Sequence, residues 1–381
     1  MKLKQIPSDF IVEEIPIIVP KPKGNYVLYH LHKTGLETLH LLSYLGKMND
    51  IPVGEFGIAG VKDKHAITSQ FFTLAKKYKI RTLQEENFQI EERGFVDSPI
   101  KLGDLVGNRF KIVVRGIAKG ELPGLAKKAE SIRRFGVPNY FDSQRFGSVV
   151  SGNFVIKHVI QQDCEGAMRL FLTGYSKFDS SEVKKEKKSI RDNWQDLSSI
   201  KPKSQMNRQI LEEYNKTKDW LMAYRKIPSA LREFLVTSYQ SYLWNESLKL
   251  VLRACLNRRY LYTIDYDMGS LVFYKELVEK KPIPTLLKTV SDQLSATGLE
   301  KSIIDHVLSR EGLSIRDFQI KDRTGNFFKT HDRSLLVIPT ALELSPPTAD
   351  ELNRNRFKLS LTFVLPKGSY ATIVTKRLFN H

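Results

Sequence analysis

Alternating apolar residues crowd both ends of this chain, and long helical periodicities fill its middle. Near the N-terminus Phe10 and Val12 stand two apart, and NYVLYHLHK (25–33) sets Val27, Tyr29 and Leu31 on one face, the period of a half-buried strand. FGIAG (56–60), ITSQFFTLA (67–75) and NRFKIVVRGI (108–117) repeat the signal, which returns in SLLVIP (334–339) and in FKLSLTFVLPKGSYATIVTKRLF (357–379). LETLHLLSYLGKM (36–48) and LPGLAKKAESIRRFG (122–136) read as helices, the second stopped by Gly136 and Pro138. No strict βαβα rhythm connects these elements, so the pattern predicts an α+β fold with a mixed sheet built from both ends of the chain. The texture changes near Gly152. SSEVKKEKKSIRDNWQDLSSIKPKSQ (180–205) reads as solvated helix ends or a surface loop, and ALREFLVTSYQSYLWNESLKLVLRACL (230–256) as a long helix. The expected boundaries are a first domain over 1–151, an inserted α-rich domain over 152–335, and strands over 336–381 that complete the first.

Charge narrows the function. Sixty Lys and Arg against 42 Asp and Glu give a net +18, which favours a polyanionic partner, because each neutralised phosphate releases condensed counterions. The basic residues are spread along the chain and gather on no amphipathic helix, and no apolar stretch is long enough to cross a bilayer, so no membrane role is expected. Cys164 and Cys255 are far apart, which offers neither a disulfide framework nor a zinc cluster. MKLKQIPSDF is basic without the apolar core of a secretory signal, and a cytoplasmic location is expected. No GxxxxGK[ST], GxGxxG, HExxH or GxSxG is present. His30 and His32 share a strand face, as do Asp265 and Asp267, but two ligands without a third make a poor metal site. A cofactor-free enzyme or a binding protein remains.

Two segments carry chemistry. In GIAGVKDKHAITSQ (57–70), Asp63 lies between Lys62 and Lys64, cations that hold a carboxylate ionised and nucleophilic; a solvated hairpin tip would look the same. In VPNYFDSQRFGS (137–148), Asn139, Tyr140, Phe141, Gln144, Arg145 and Phe146 mix aromatic faces with amide and guanidinium donors, the groups that grip an unstacked base. With SDFIVEE (8–14), AGVKDKHAITSQ (59–70), PNYFDSQRFG (138–147), SYQSYLWNESL (238–248), DRSLLVIP (332–339) and LPKGSYAT (365–372) in this order, the chain resembles the TruD family of tRNA pseudouridine synthases along nearly its whole length. It departs from the family pattern at Asp142, where a small residue is usual, and at Tyr370, where Phe is common.

The resemblance implies a pseudouridine synthase domain with a mixed, largely antiparallel sheet, and between 152 and 335 the insertion domain that distinguishes the family. It implies Asp63 as the catalytic carboxylate, Lys4 as its cationic partner, Phe141 as the aromatic that stacks on the target base, and Phe10, Asn139 and Tyr370 as further substrate contacts. Arg145 could help to hold tRNA phosphates or form a structural salt bridge. The implied substrate is tRNA and the implied target a D-arm uridine, position 13. No cofactor, metal or protein partner is expected, and the protein is expected to be a monomer or a weak oligomer. The same chemistry on another structured RNA, or a non-catalytic RNA-binding protein on the same fold, are the alternatives.

Overall fold

The computed structural model describes the chain except residues 81–83, 151, 176–178, 326, 327, 380 and 381, and the side chains of 322 and 323. It divides into two compact units, Met1–Val137 with Leu336–His381, and Pro138–Leu335. The chain thus enters the second unit at Pro138 rather than near 152. The physical reason is local: Asn139 and Phe141 already make their hydrogen bonds to residues of the second unit, as described below.

Among the described residues, ten strands of the first unit form one sheet. They are β1 (Phe10–Pro16), β2 (Tyr26–Thr34), β3 (Gly57–Ile58), β4 (Ile67–Ala75), β5 (Gln84–Glu85), β6 (Phe88–Val96), β7 (Leu105–Ile117), β8 (Thr340–Leu344), β9 (Thr348–Ala349) and β10 (Phe357–Pro366). The order is β8-β10-β7-β1-β4-β2-β6-β5, with β9 on β10 and β3 on β4. β1 and β4 run parallel, Ile11 beside Ile67, and the remaining pairs in this sheet are antiparallel. Strands from both ends of the sequence therefore meet through β7 and β10, as their alternation predicts.

Helix α1 (Thr38–Met48) covers one sheet face, where Leu41, Leu42 and Leu45 pack with Tyr29, Leu31, Phe72, Leu74 and Ile90. Helix α2 (Leu125–Phe135) ends at Gly136, whose φ of +67° and close approach to the carbonyl of Val337 leave no room for a Cβ. The stretch 357–379 is not one long strand. It breaks after Pro366, Gly368 turns at φ +78°, and Ala371–Phe379 forms a third helix, α3. Thr372, Ile373, Val374 and Thr375 give this segment strand-like composition, yet the buried Ala371, Val374 and Leu378 recur at helical spacing.

The second unit is mainly helical. The long helix Ser229–Cys255 runs through its core, burying Leu235, Tyr239 and Leu243 with Ile304 and Val307 of Gly298–Arg310. The charged 180–205 stretch contributes a real helix, Ser181–Asp192, capped by Ser180 and anchored by buried Ile190. Leu261–Tyr266 and Gly269–Tyr274 form a hairpin, and Asp267 falls between these strands rather than on one face with Asp265. The overall class is α+β.

Candidate active site

Asp63 sits in the loop between β3 and β4, and hydrogen bonds hold that loop at Gly60, Lys62 and Asp63. Gln70, buried on β4, donates to Gly60 O at 3.2 Å and accepts from the Thr38 hydroxyl, which in turn accepts from the Lys62 amide at 3.1 Å. Lys62 turns inward to a buried ion pair with Glu14 at 2.6 Å, and Lys64 is exposed. The two flanking lysines are therefore not the cations that set the Asp63 carboxylate. Lys4 is: its ammonium group pairs with Asp63 Oδ2, while the His65 amide donates to Oδ1 at 2.9 Å. Burial alone pushes this carboxyl up, but the hydrogen bond and charge of Lys4 and the His65 amide outweigh it, so the group lies below the usual carboxylate range and is ionised at neutral pH. With side chains 25% and 15% exposed, Lys4 and Asp63 are open to an incoming ligand.

Lys4 is held with care. Its φ is +55°, a left-handed backbone that costs a side-chain-bearing residue roughly 1 kcal/mol or more. The next two amides, Gln5 and Ile6, donate to one Asp9 oxygen at 3.1 and 3.2 Å, and Arg115 of β7 donates to the other at 2.8 Å. Arg115 also pairs with Asp350, at 3.1 Å, and with Glu351, at 3.0 Å. The Lys4 ammonium group lies 4.2 Å from the centroid of Phe10. Phe10 itself is 5% exposed and packs edge-on against Phe110, so it acts on this site as the floor beneath Lys4. Tyr370 follows β10 on the turn into α3. By register Pro366, the last residue of β10, is level with Gly107 and Ile15.

The second unit holds a separate cluster. Phe141 exchanges two main-chain hydrogen bonds with the buried Asn245 side chain, at 2.9 and 2.8 Å, and meets Trp244 edge-on at 5.7 Å. Arg333 lays its guanidinium 4.0 Å from the Phe141 centroid and donates to Asn139 O at 2.7 Å and to Asn139 Oδ1 at 2.9 Å. Asn139 spends its amide nitrogen on Ser334 O at 3.0 Å. Arg145 donates to the Ser241 hydroxyl at 3.1 Å and lies 5.7 Å from the Phe141 ring. Asp142 is buried and caps the short turn Ser143–Phe146 by accepting from the Ser143 amide. The cluster is thus a half-buried aromatic ring framed by two guanidinium groups, a surface suited to a flat, electron-rich ligand.

Sequence reasoning passed over Lys33, the Lys62–Glu14 pair, the Asp9–Arg115–Asp350 network and Arg333. Lys33 had a signal, a charged residue at the next inward position after Val27, Tyr29 and Leu31. The Arg115 network had none, because its members are 106 and 235 positions apart. Among the described residues, no group of three His, Cys, Asp or Glu side chains could hold a metal ion, and no helix is long and apolar enough to cross a membrane.

Comparison with known proteins assigns the family. The sequence profile described as "tRNA pseudouridine synthase D (TruD)" matches residues 1–268 and 269–378. "Probable tRNA pseudouridine synthase D 1" of Methanococcus maripaludis is 36% identical over 100% of both chains. "Probable tRNA pseudouridine synthase D 2" of Methanocaldococcus jannaschii is 37% identical over 100% of this chain and 92% of its own. The fold matches the crystal structure of a TruD-family protein from Methanosarcina mazei with a TM-score of 0.72 at 24% identity, covering 100% of this chain and 93% of that one. With the profile spanning both units and relatives aligned from end to end, the chain belongs to the tRNA pseudouridine synthase D (TruD) family.

Proposed function

We propose that the protein isomerises a uridine of tRNA to pseudouridine, at position 13 of the D arm, with Asp63 as the catalytic carboxylate. The observation that carries the reading is the Lys4–Asp63 pair: an ionised carboxylate on a tightly tethered loop, matched to a cation on a strained backbone, and still open to solvent. The reaction breaks the C1′–N1 bond, turns the uracil, and joins C1′ to C5; N1 gains a proton and C5 loses one. It needs a carboxylate at the sugar–base junction and no redox partner, which the tethered Asp63 supplies.

The target uridine must leave its stack, at a cost of a few kcal/mol. Phe141 offers the base a face, and stacking of roughly 1–3 kcal/mol offsets part of that cost. Asn245 holds the Phe141 main chain and Arg333, itself bonded to Asn139, lies against its ring; Arg145 adds positive charge for phosphate, and Tyr370 enters on its motif alone. The net charge of +18 serves the tRNA backbone.

The test is tritium release from tRNA transcripts labelled at uracil C5, with the intact protein and with Asp63→Ala. The C5 hydrogen leaves only when C5 becomes the glycosidic carbon. Release by the intact protein alone supports the reading, and primer-extension mapping then locates the site. Release by both removes Asp63 from the chemistry. Release from bulk RNA but not from tRNA turns the reading to another structured RNA, and no release from either leaves RNA binding without catalysis.

A further inference from the structure

The inward face of β2 runs Val27, Tyr29, Leu31 and then Lys33, which is fully buried and stands between Thr68 of β4 and Phe88 of β6 in the ladder. Its ammonium nitrogen donates to Leu36 O at 2.7 Å and to Asp63 O at 3.2 Å. Among the described residues, no carboxylate lies within ion-pair distance of it. The charged groups that face it are Asp63 and Glu37, which favour its protonation, and Lys62, which opposes it. A lysine in this position is costly to keep, since an apolar side chain of equal length would fill the space beneath α1. Thr38, Gln70 and Glu14 fix the loop at residues 60 to 62, whereas Lys33 reaches the main chain of Asp63 itself.

We propose that Lys33 is a positioning residue for the reaction: its charged ammonium group, shared between Leu36 O and Asp63 O, holds the Asp63 main chain so that the carboxylate meets Lys4, and loss of that charge weakens both hydrogen bonds and loosens the turn. The inference rests on the reading of Asp63 as the catalytic residue. Burial is the main force on Lys33 and brings it down to about 8 from 10.5, so its charge can be removed without mutation by raising the pH.

The dipeptide Asp-Lys occurs once in the chain, at 63–64. Isotopic labelling of aspartate carbonyls and lysine nitrogens therefore leaves one carbon–nitrogen correlation, that of Asp63. Between about pH 7 and pH 9.5 this correlation should move in the wild type and stay still in Lys33→Met. In single-turnover assays with a tRNA transcript, Lys33→Met should be slower by about 100-fold at pH 7, the scale of a misplaced reacting group, with tRNA affinity within about three-fold. The wild-type rate should fall toward that of the variant as pH rises, while the variant's stays flat. A stationary wild-type correlation, a variant at the wild-type rate, or parallel pH profiles in the two proteins would each overturn the proposal. If Lys33→Met does not fold, the wild-type correlation decides. Asp63→Ala is the control: turnover by that variant defeats the catalytic reading, whereas an inactive Asp63→Ala beside a fully active Lys33→Met defeats only the positioning role.

Discussion

A buried lysine that titrates near neutrality leaves a mark on stability as well as on activity. Lys33 binds its proton more weakly in the folded protein, about 8, than in the unfolded chain, 10.5. Between these values the unfolded chain carries more protons, so stability rises with pH; the cost is in full force below pH 8 and fades toward 10.5. Two and a half units at 1.36 kcal/mol each amount to about 3 kcal/mol, of which about 2 kcal/mol is recovered between about pH 7 and pH 9.5. Lys33→Met removes the titration, so the difference in pH response between the two proteins isolates this group while all other ionisations cancel. Trp194, Trp220 and Trp244 all lie in the second unit, and their fluorescence would report on the wrong part of the molecule. Urea unfolding should instead be followed through methyl resonances of Leu31 and Leu74, both fully buried on the face that holds Lys33. The wild type should gain about 2 kcal/mol more than the variant over that pH range. Equal gains would refute the reasoning, since they would mean that Lys33 keeps its ordinary affinity for a proton.

Four further outcomes are expected. Asp63→Asn should abolish tritium release while leaving tRNA affinity within a few-fold in filter binding, because the exposed basic surface is untouched. Arg115→Met strips two buried carboxylates, Asp9 and Asp350, of their cation, and should cost about 3–5 kcal/mol in urea unfolding. Burial raises the Asp350 carboxyl, but the Gly116 amide, Asn353, the Leu352 amide and Arg115 together bring it down to about 2 from 3.8. That group therefore stabilises the fold above its unfolded value and the contribution disappears as pH falls toward 2; acid titration of Asp350→Asn should show a shallower loss in this window. Phe141→Ala should slow single turnover by the loss of roughly 1–3 kcal/mol of stacking, and an unaltered rate would remove the ring from base recognition.

Much of the first unit was legible because a strand declares itself locally. The period of two in β2, β4, β7 and β10 needs no knowledge of the partner strand. α3 was misread for the same reason: Thr372 to Thr375 are β-branched, and only their burial in the folded chain shows that a helix is the better packing. β6 declares itself poorly, since Glu91, Glu92 and Arg93 interrupt its alternation where a bulge at Arg93, next to Gly94 at φ +119°, shifts the register against β2. For the site, motifs located Asp63 and Phe141, but not the physics around them. The sequence neighbours of Asp63 suggest Lys62 and Lys64 as its cations, and only the family resemblance offers Lys4; in the folded chain Lys62 turns inward, Lys64 outward, and Lys4 pairs with Asp63 from 59 positions away. Proximity in space between residues far apart in sequence has no local signature.

The Asp9–Arg115–Asp350 network also has a consequence for synthesis on the ribosome. Asp9 orders the amides next to Lys4, but Asp9 is fixed by Arg115, and Arg115 is neutralised in part by Asp350, near the end of the chain. A nascent chain that has emerged only through the second unit lacks Asp350 and β10, the strand that pairs along nearly the whole length of β7. Its Lys4 would have no rigid seat opposite Asp63. The seat of Lys4 would therefore form late, only once Asp350 and β10 have been made, so that a shorter nascent chain would carry positive charge for RNA before its Lys4–Asp63 pair is ordered.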